Sequence, residues 1–206
     1  MSELKIKVCG MKYADNIRSL IDLRPDFMGF IFYRKSPRYA GELEEEVMSR
    51  IPISIKKVGV FVNEDPNVVT AIYDKYGLDY VQLHGDEDLA YVSNLKGKGL
   101  KIIKVFRILD SLPYSIPQFS KVSEYFLFDT ASPSYGGSGR HFDWSILKAY
   151  KQDTPFLLSG GIDTADIEEI KNLEHPALAG IDVNSRFELE PGLKDIKMVR
   201  KLKVML

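Results

Sequence analysis

Lys57-Val58-Gly59-Val60-Phe61-Val62 is an apolar run with one charge, at its start. It does not alternate apolar with polar residues, as a strand with one wet face would. A continuous apolar run of this length suits a strand buried on both faces, as in a parallel sheet. Similar runs recur on either side of it. The candidate strands are 4–9, 27–32, 57–62, 79–83, 101–106, 125–129, 155–159 and 179–183. Helical stretches separate them. Tyr13 to Leu23 places Ile17, Leu20 and Ile21 on one face, and Glu42 to Arg50 opens with acids, which favour a helix N-terminus. Asp65-Pro66 reads as an N-cap followed by proline at the first helical position. Asp86 is placed to cap 87–96, Asp143 to cap 144–151 and Thr164 to cap 165–172, and a last helix spans 194–203. Segment 110–124 carries Pro113 and Pro117, which argue against a regular helix there.

Eight strands in 206 residues leave about 26 residues per strand–helix unit, close to what such a unit needs in an eightfold barrel of about 250 residues. The fold class is therefore read as α/β, a compact (βα)8 TIM barrel forming a single domain over residues 1–206. Strict alternation also fits a doubly wound open sheet. The barrel is preferred because the eight strands are of similar length and none reads as an edge strand.

The composition is that of an ordinary globular protein, 45% hydrophobic and 28% charged. A formal net charge of −1 gives no broad basic surface for nucleic acid or anionic lipid. One cysteine makes no internal disulfide and fits a reducing compartment. The first strand begins almost at once, leaving no room for a signal peptide, and no apolar run approaches the roughly 18 residues of a membrane span. The expectation is a cytoplasmic protein, monomer or homodimer, acting on a small molecule.

Strands of a parallel barrel point their C-terminal ends at one place, where the chemistry of such folds gathers. Strand one ends at Cys9-Gly10. A lone cysteine is ordinarily a small buried hydrophobe. At a strand end, before a glycine, it is also a candidate general base, provided its pKa is pulled towards neutrality. Strand six ends at Asp129, which either caps a loop or, in a partly apolar site, holds a proton to donate. Gly136-Gly137-Ser138-Gly139 and Ser159-Gly160-Gly161 follow strands six and seven, and Asp182-Val183-Asn184-Ser185-Arg186 closes strand eight. Glycines let backbone N–H groups approach an anion, and barrels bind phosphate at these last loops. Arg38, after strand two, is either a surface residue or a fork for a substrate carboxylate. Asp15, Asp65 and Asp143 read as caps. His84 reads as a hydrogen bonder. With only His84, His141 and His175 in the chain, no metal centre built from several histidines is expected.

The ordered set of these pieces resembles the phosphoribosylanthranilate isomerase family. The matching stretches are Lys7 to Met11, Gly29 to Phe32 with Ser36-Pro37-Arg38, Val58 to Asn63, and Val81 to Gly85. They continue with Asp129, Gly136 to Gly139, Phe142-Asp143-Trp144, Leu158 to Ile162, and Asp182 to Ser185 with Glu188, Pro191-Gly192 and Lys194-Asp195. The resemblance spans nearly the whole chain. It implies a cofactor-free (βα)8 barrel of tryptophan biosynthesis. Its reaction is the Amadori rearrangement of N-(5-phosphoribosyl)anthranilate to 1-(2-carboxyphenylamino)-1-deoxyribulose 5-phosphate. By the resemblance Cys9 is the general base, Asp129 the general acid and Arg38 the receiver of the anthranilate carboxylate. Gly137, Gly139, Gly160, Gly161, Asn184 and Ser185 match the phosphate grip. The chain departs from the family at Arg186, where many relatives have glycine, and at Asn184, where serine is common. A different class of reading is a non-catalytic barrel that binds a phosphorylated metabolite. It keeps the glycine loops but gives no reason to keep Cys9, Asp129 and Arg38 together.

Overall fold

The computed structural model describes residues 4–131 and 141–206. The expected strands are all present and close into a barrel of eight parallel strands in sequence order. They are β1 (Lys5–Val8), β2 (Phe27–Ile31), β3 (Lys56–Phe61) and β4 (Tyr80–Leu83), then β5 (Ile102–Ile108), β6 (Tyr125–Thr130), β7 (Phe156–Leu158) and β8 (Leu178–Val183). Closure is made by β1 against β8, with Lys5 opposite Gly180 and Val8 opposite Val183. The open-sheet alternative falls on this pairing. A short antiparallel hairpin, β9 (Glu188–Glu190) and β10 (Leu193–Lys194), follows β8 and was not anticipated.

The continuous apolar runs have the expected cause. Alternate residues of each strand face the barrel interior or the surrounding helices. The interior set is Phe27, Val58, Ile103, Val105, Leu127 and Leu157. Its floor is an aromatic triad of Phe27, Tyr80 and Tyr125, packed edge-to-face with centroids 5.7 to 5.9 Å apart. Cys9, Ile31 and Val60 form a separate small cluster. The opposite parity, including Val8, Met28, Phe30, Phe61 and Phe128, packs against the helices.

The helices are α1 (Ala14–Ile21), α2 (Glu45–Ser49), α3 (Pro66–Tyr76), α4 (Leu89–Gly97), α5 (Ile116–Phe119), α6 (Ile167–Asn172) and α7 (Ile196–Met205). α1 buries Ile17 and Leu20, while Ile21 is half-buried. Asp65 caps α3 by accepting from Asn67 N, with Pro66 at the first position. The proline-bearing segment yields only the single turn α5. Asp143 caps as expected, but the turn it opens, Trp144–Ala149, is 3-10. Three expected caps are corrected. Asp88, not Asp86, caps α4, accepting from Tyr91 N at 2.8 Å, and Asp86 instead pairs with Arg107. Asp163, not Thr164, opens the turn before α6, in a reciprocal arrangement with Asp166. Asp15 sits inside the first turn of α1 and pairs with Arg18 at 2.6 Å rather than capping. At α4 and before α6 two polar residues crowd the start, and the one whose backbone is extended there takes the cap; at α1 the extended residue is Tyr13, which makes no side-chain capping bond. Among the described residues no helix is long and apolar enough to cross a membrane.

Candidate active site

The C-terminal ends of the strands surround a cavity of about 420 Å³. Cys9, Arg38, Asp129, Gly160, Gly161, Asn184 and Ser185 all line it, as do His84 and Arg186. Gly137 and Gly139 lie outside the described residues. Apart from that loop, every residue singled out for chemistry is thus brought to one place, although they come from β6 and from the segments that follow β1, β2, β4, β7 and β8.

Asp129 is the last residue but one of β6 and is 8% exposed. Its Oδ1 accepts from the Thr130 backbone N at 2.9 Å, and its Oδ2 lies 3.1 Å from His84 Nε2. The Gln82 amide nitrogen faces His84 Nδ1 at 3.2 Å. An amide nitrogen only donates, so Nδ1 accepts and the ring proton sits on Nε2, directed at Asp129. His84 is the hydrogen bonder that its place after a strand suggested.

Cys9 is 3% exposed, and Gly10 after it takes a left-handed φ of 80°. Gly29 faces it from β2. A Cβ on Gly29 would stand 2.8 Å from Cys9 Sγ and 3.2 Å from Lys7 Nζ, so only glycine leaves room for both. The reading of Cys9 as a base asks for a thiol pKa drawn towards neutrality. Burial instead pushes it up, with the Lys7 charge pulling the other way and Asp182 adding to the rise. Lys7 is wholly buried and pairs with Asp182 Oδ1 at 2.8 Å. Burial alone pushes an ammonium pKa down; Asp182 and Cys9 outweigh it and hold Lys7 above its ordinary value. Asp182 is pushed up by burial in spite of Lys7. Stripping an ion of water costs on the order of several kcal/mol, so two ions inside a barrel require an explanation.

Arg38 does not reach into the cavity as an unpaired fork. Its Nε lies 2.9 and 3.0 Å from the two oxygens of Glu188, and its Nη2 lies 2.8 Å from one of them. Lys194 donates to the same carboxylate at 2.6 Å and to Asn184 Oδ1 at 2.7 Å. The Gly192 N–H adds a further bond at 3.0 Å. Burial works against the Glu188 carboxylate, but Arg38, Lys194 and the Gly192 N–H together hold its pKa low. Glu188 therefore backs Arg38 from behind, and the Nη1–Nη2 edge is the one not engaged by it. Two cations and one anion leave this cluster with an excess positive charge beside the cavity.

After β7 the chain turns through two consecutive left-handed glycines, Gly160 at φ 102° and Gly161 at φ 79°. A Cβ on Gly160 would lie 2.3 Å from Thr130 Oγ1. His141 ties this turn down, with Nδ1 2.8 Å from Gly160 O and Nε2 3.1 Å from Asp166.

The chain matches the N-(5'phosphoribosyl)anthranilate (PRA) isomerase family over residues 6–203. A relative from Parabacteroides distasonis, N-(5'-phosphoribosyl)anthranilate isomerase, is 46% identical over 95% of this chain and 90% of its own length. The chain belongs to the phosphoribosylanthranilate isomerase family. The enzyme class expected from the sequence, an isomerase of tryptophan biosynthesis, stands with it. The phosphoribosylanthranilate isomerase of Thermus thermophilus has the same fold, with a TM-score of 0.83 at 24% identity and 98% coverage of both chains. Another solved phosphoribosylanthranilate isomerase is in complex with reduced 1-(o-carboxyphenylamino)-1-deoxyribulose 5-phosphate. It shares 25% identity with this chain at a TM-score of 0.76, covering 98% of this chain and 97% of the other.

Lys7, Glu188 and Lys194 were not anticipated as parts of the site. Lys7 carried a signal, since it stands two residues before Cys9 in a strand and so shares its face. Nothing local marked Glu188 and Lys194 as partners of Arg38.

Proposed function

We infer that this chain rearranges N-(5-phosphoribosyl)anthranilate to 1-(2-carboxyphenylamino)-1-deoxyribulose 5-phosphate, with Asp129 as general acid and Cys9 as general base. The observation that carries this reading is the meeting of Cys9 and Asp129 in one cavity, between Arg38 and the Gly160–Gly161 turn. The phosphate sits at Gly160, Gly161, Asn184 and Ser185, and the anthranilate carboxylate meets the outer edge of Arg38. Anchored at both ends, the sugar is held where its ring oxygen and C2 proton can be served by separate groups, an arrangement that supplies several kcal/mol of the barrier.

Asp129 gives its proton to the furanose ring oxygen as the bond from that oxygen to C1 breaks, and a Schiff base forms at C1. Cys9, as thiolate, takes the C2 proton, and the electron pair moves to give an enolamine. Tautomerisation places a proton on C1 and leaves the ketone at C2. The reaction is an internal proton shift, for which one acid and one base suffice. His84 and the Thr130 N–H both donate to Asp129, so they stabilise the carboxylate that appears as the proton leaves.

The test is a fluorescence assay in which the anthranilate substrate is made in place and the product is trapped by an indole-glycerol-phosphate synthase. Loss of substrate fluorescence catalysed by the purified protein is expected. A folded protein that binds phosphate ligands without turnover would overturn the reading in favour of a binding barrel. A further expected result separates carboxylate recognition from chemistry. Arg38→Met should raise KM by roughly ten- to a hundredfold, the worth of a charge-assisted hydrogen bond, with kcat changed only a few-fold. Glu188 keeps Lys194 as a partner in that variant, so the surrounding cluster is not left without a counter-ion. A kcat loss as large as the KM change would instead give Arg38 a role in the chemical step.

A further inference from the structure

The barrel interior contains an ion pair that neither proton transfer uses. Lys7 and Asp182 are register partners on β1 and β8, and their charged atoms lie 2.8 Å apart. Ser159 Oγ stands 3.4 Å from the second Asp182 oxygen. Barrels fill such positions with branched apolar side chains, as the neighbouring interior cluster does. An apolar pair of similar volume is often at least as stable as a buried ion pair. Stability therefore does not account for Lys7 and Asp182, but their location does. Lys7 and Cys9 project to the same side of β1. The ammonium and the sulfur both converge on the face that Gly29 leaves open, 3.2 and 2.8 Å from its vacant Cβ position.

We propose that Lys7 is the counter-ion of the Cys9 thiolate and that Asp182 sets how much of the Lys7 charge reaches it, making the pair a positioning device for the base. This rests on the reading of Cys9 as general base. Lys7 does not line the cavity, so it acts through Cys9 rather than on substrate. Before the proton transfer the Lys7 ammonium is shared between two anions. After it, Asp182 alone holds the charge, and no ion in the interior is left without a partner at either stage. The other charged and titratable groups around the thiol belong to different elements. Lys194 from β10 also favours the thiolate, with Glu188 and Arg38 beyond it. Asp129 and His84 act on Asp182 from the far side.

The two partners predict shifts of opposite sign. Cys9 is the only cysteine, so the ultraviolet absorbance of the thiolate, taken as a difference from Cys9→Ser, reports its titration without any need for turnover. In Lys7→Met the midpoint should move to higher pH, with the thiolate at neutral pH falling by about tenfold or more. In Asp182→Asn the ammonium turns wholly to the sulfur, and the midpoint should move to lower pH. If Lys7→Met does not fold, the downward shift in Asp182→Asn decides alone. Midpoints that stay where they are in folded variants, or that move in the same direction in both, overturn the proposal. The acid limb of kcat/KM against pH, measured on the same variants, separates this from the assignment of the base. A limb that follows the thiolate midpoint supports both. A limb that stays fixed while the midpoint moves keeps the coupling and overturns Cys9 as base.

Discussion

Cys9→Ser should lower kcat/KM by roughly 10² to 10⁴, the range in which a general base contributes, while leaving the fold intact. Serine is nearly isosteric with cysteine, and the side chain stands among Ile31, Val60 and Tyr33, so no cavity of consequence opens. What changes is the acidity. A hydroxyl beside Lys7 is far from ionised at any pH at which the protein is folded, whereas a thiol, even one that burial has pushed up, ionises within reach of it. The C2 proton then loses the base assigned to it. The coupled fluorescence assay gives the loss, and a thermal melt within a few degrees of the parent shows that the loss is chemical. Because the thiol is unique in the chain, alkylating it should stop the wild type at one equivalent, and a phosphorylated product analogue should protect it. Full activity in Cys9→Ser would refute the base assignment and with it the mechanism built on this thiol.

How the site is built explains which parts of it could be read from the residues alone. Cys9, Asp129 and Gly160 each end a buried apolar run, and a parallel barrel brings all such ends together, so recognising the strands was enough to collect them. Lys7 lies inside a strand, and its meaning depends on parity with Cys9, which an alternation count supplies only once the barrel is assumed. Glu188 and Arg38 are 150 residues apart in sequence, and they meet because the β9–β10 hairpin folds back over the barrel mouth. Strands of two and three residues carry no periodic signal, so that hairpin, and the neutralised inner edge of Arg38 with it, was out of reach. The Asp86 cap failed for a related reason. Asp86 and Asp88 are equally good N-cap residues, and the choice fell to the backbone path and to the ion pair of Asp86 with Arg107.

Asp129→Asn should lower kcat by a comparable 10² to 10⁴, and its geometry makes the substitution less innocent than its shape suggests. Both neighbours of Asp129 donate, the Thr130 backbone N to Oδ1 and His84 Nε2 to Oδ2. A carboxyl group meets two donors with two acceptor atoms and still carries its acidic proton on a remaining lone pair. An asparagine has one acceptor and one donor, so its amide nitrogen must face either the Thr130 N–H or the His84 N–H. The cheaper escape is for His84 to exchange its ring proton to Nδ1, which then opposes the Gln82 amide nitrogen at 3.2 Å. The Gln82 side-chain oxygen is buried with no partner of its own, so a flip of that amide would let it accept from Nδ1 and complete the rearrangement. The variant should therefore lose the acid and also show a changed His84 tautomer, visible in the nitrogen chemical shifts of that ring. Asp129→Ala removes the acid without imposing the donor conflict, and is expected to match Asp129→Asn in kcat while keeping His84 in its wild-type tautomer. If the alanine variant retains most of the turnover and the asparagine variant does not, the loss came from the conflict, and the proton for the ring oxygen is supplied by another group.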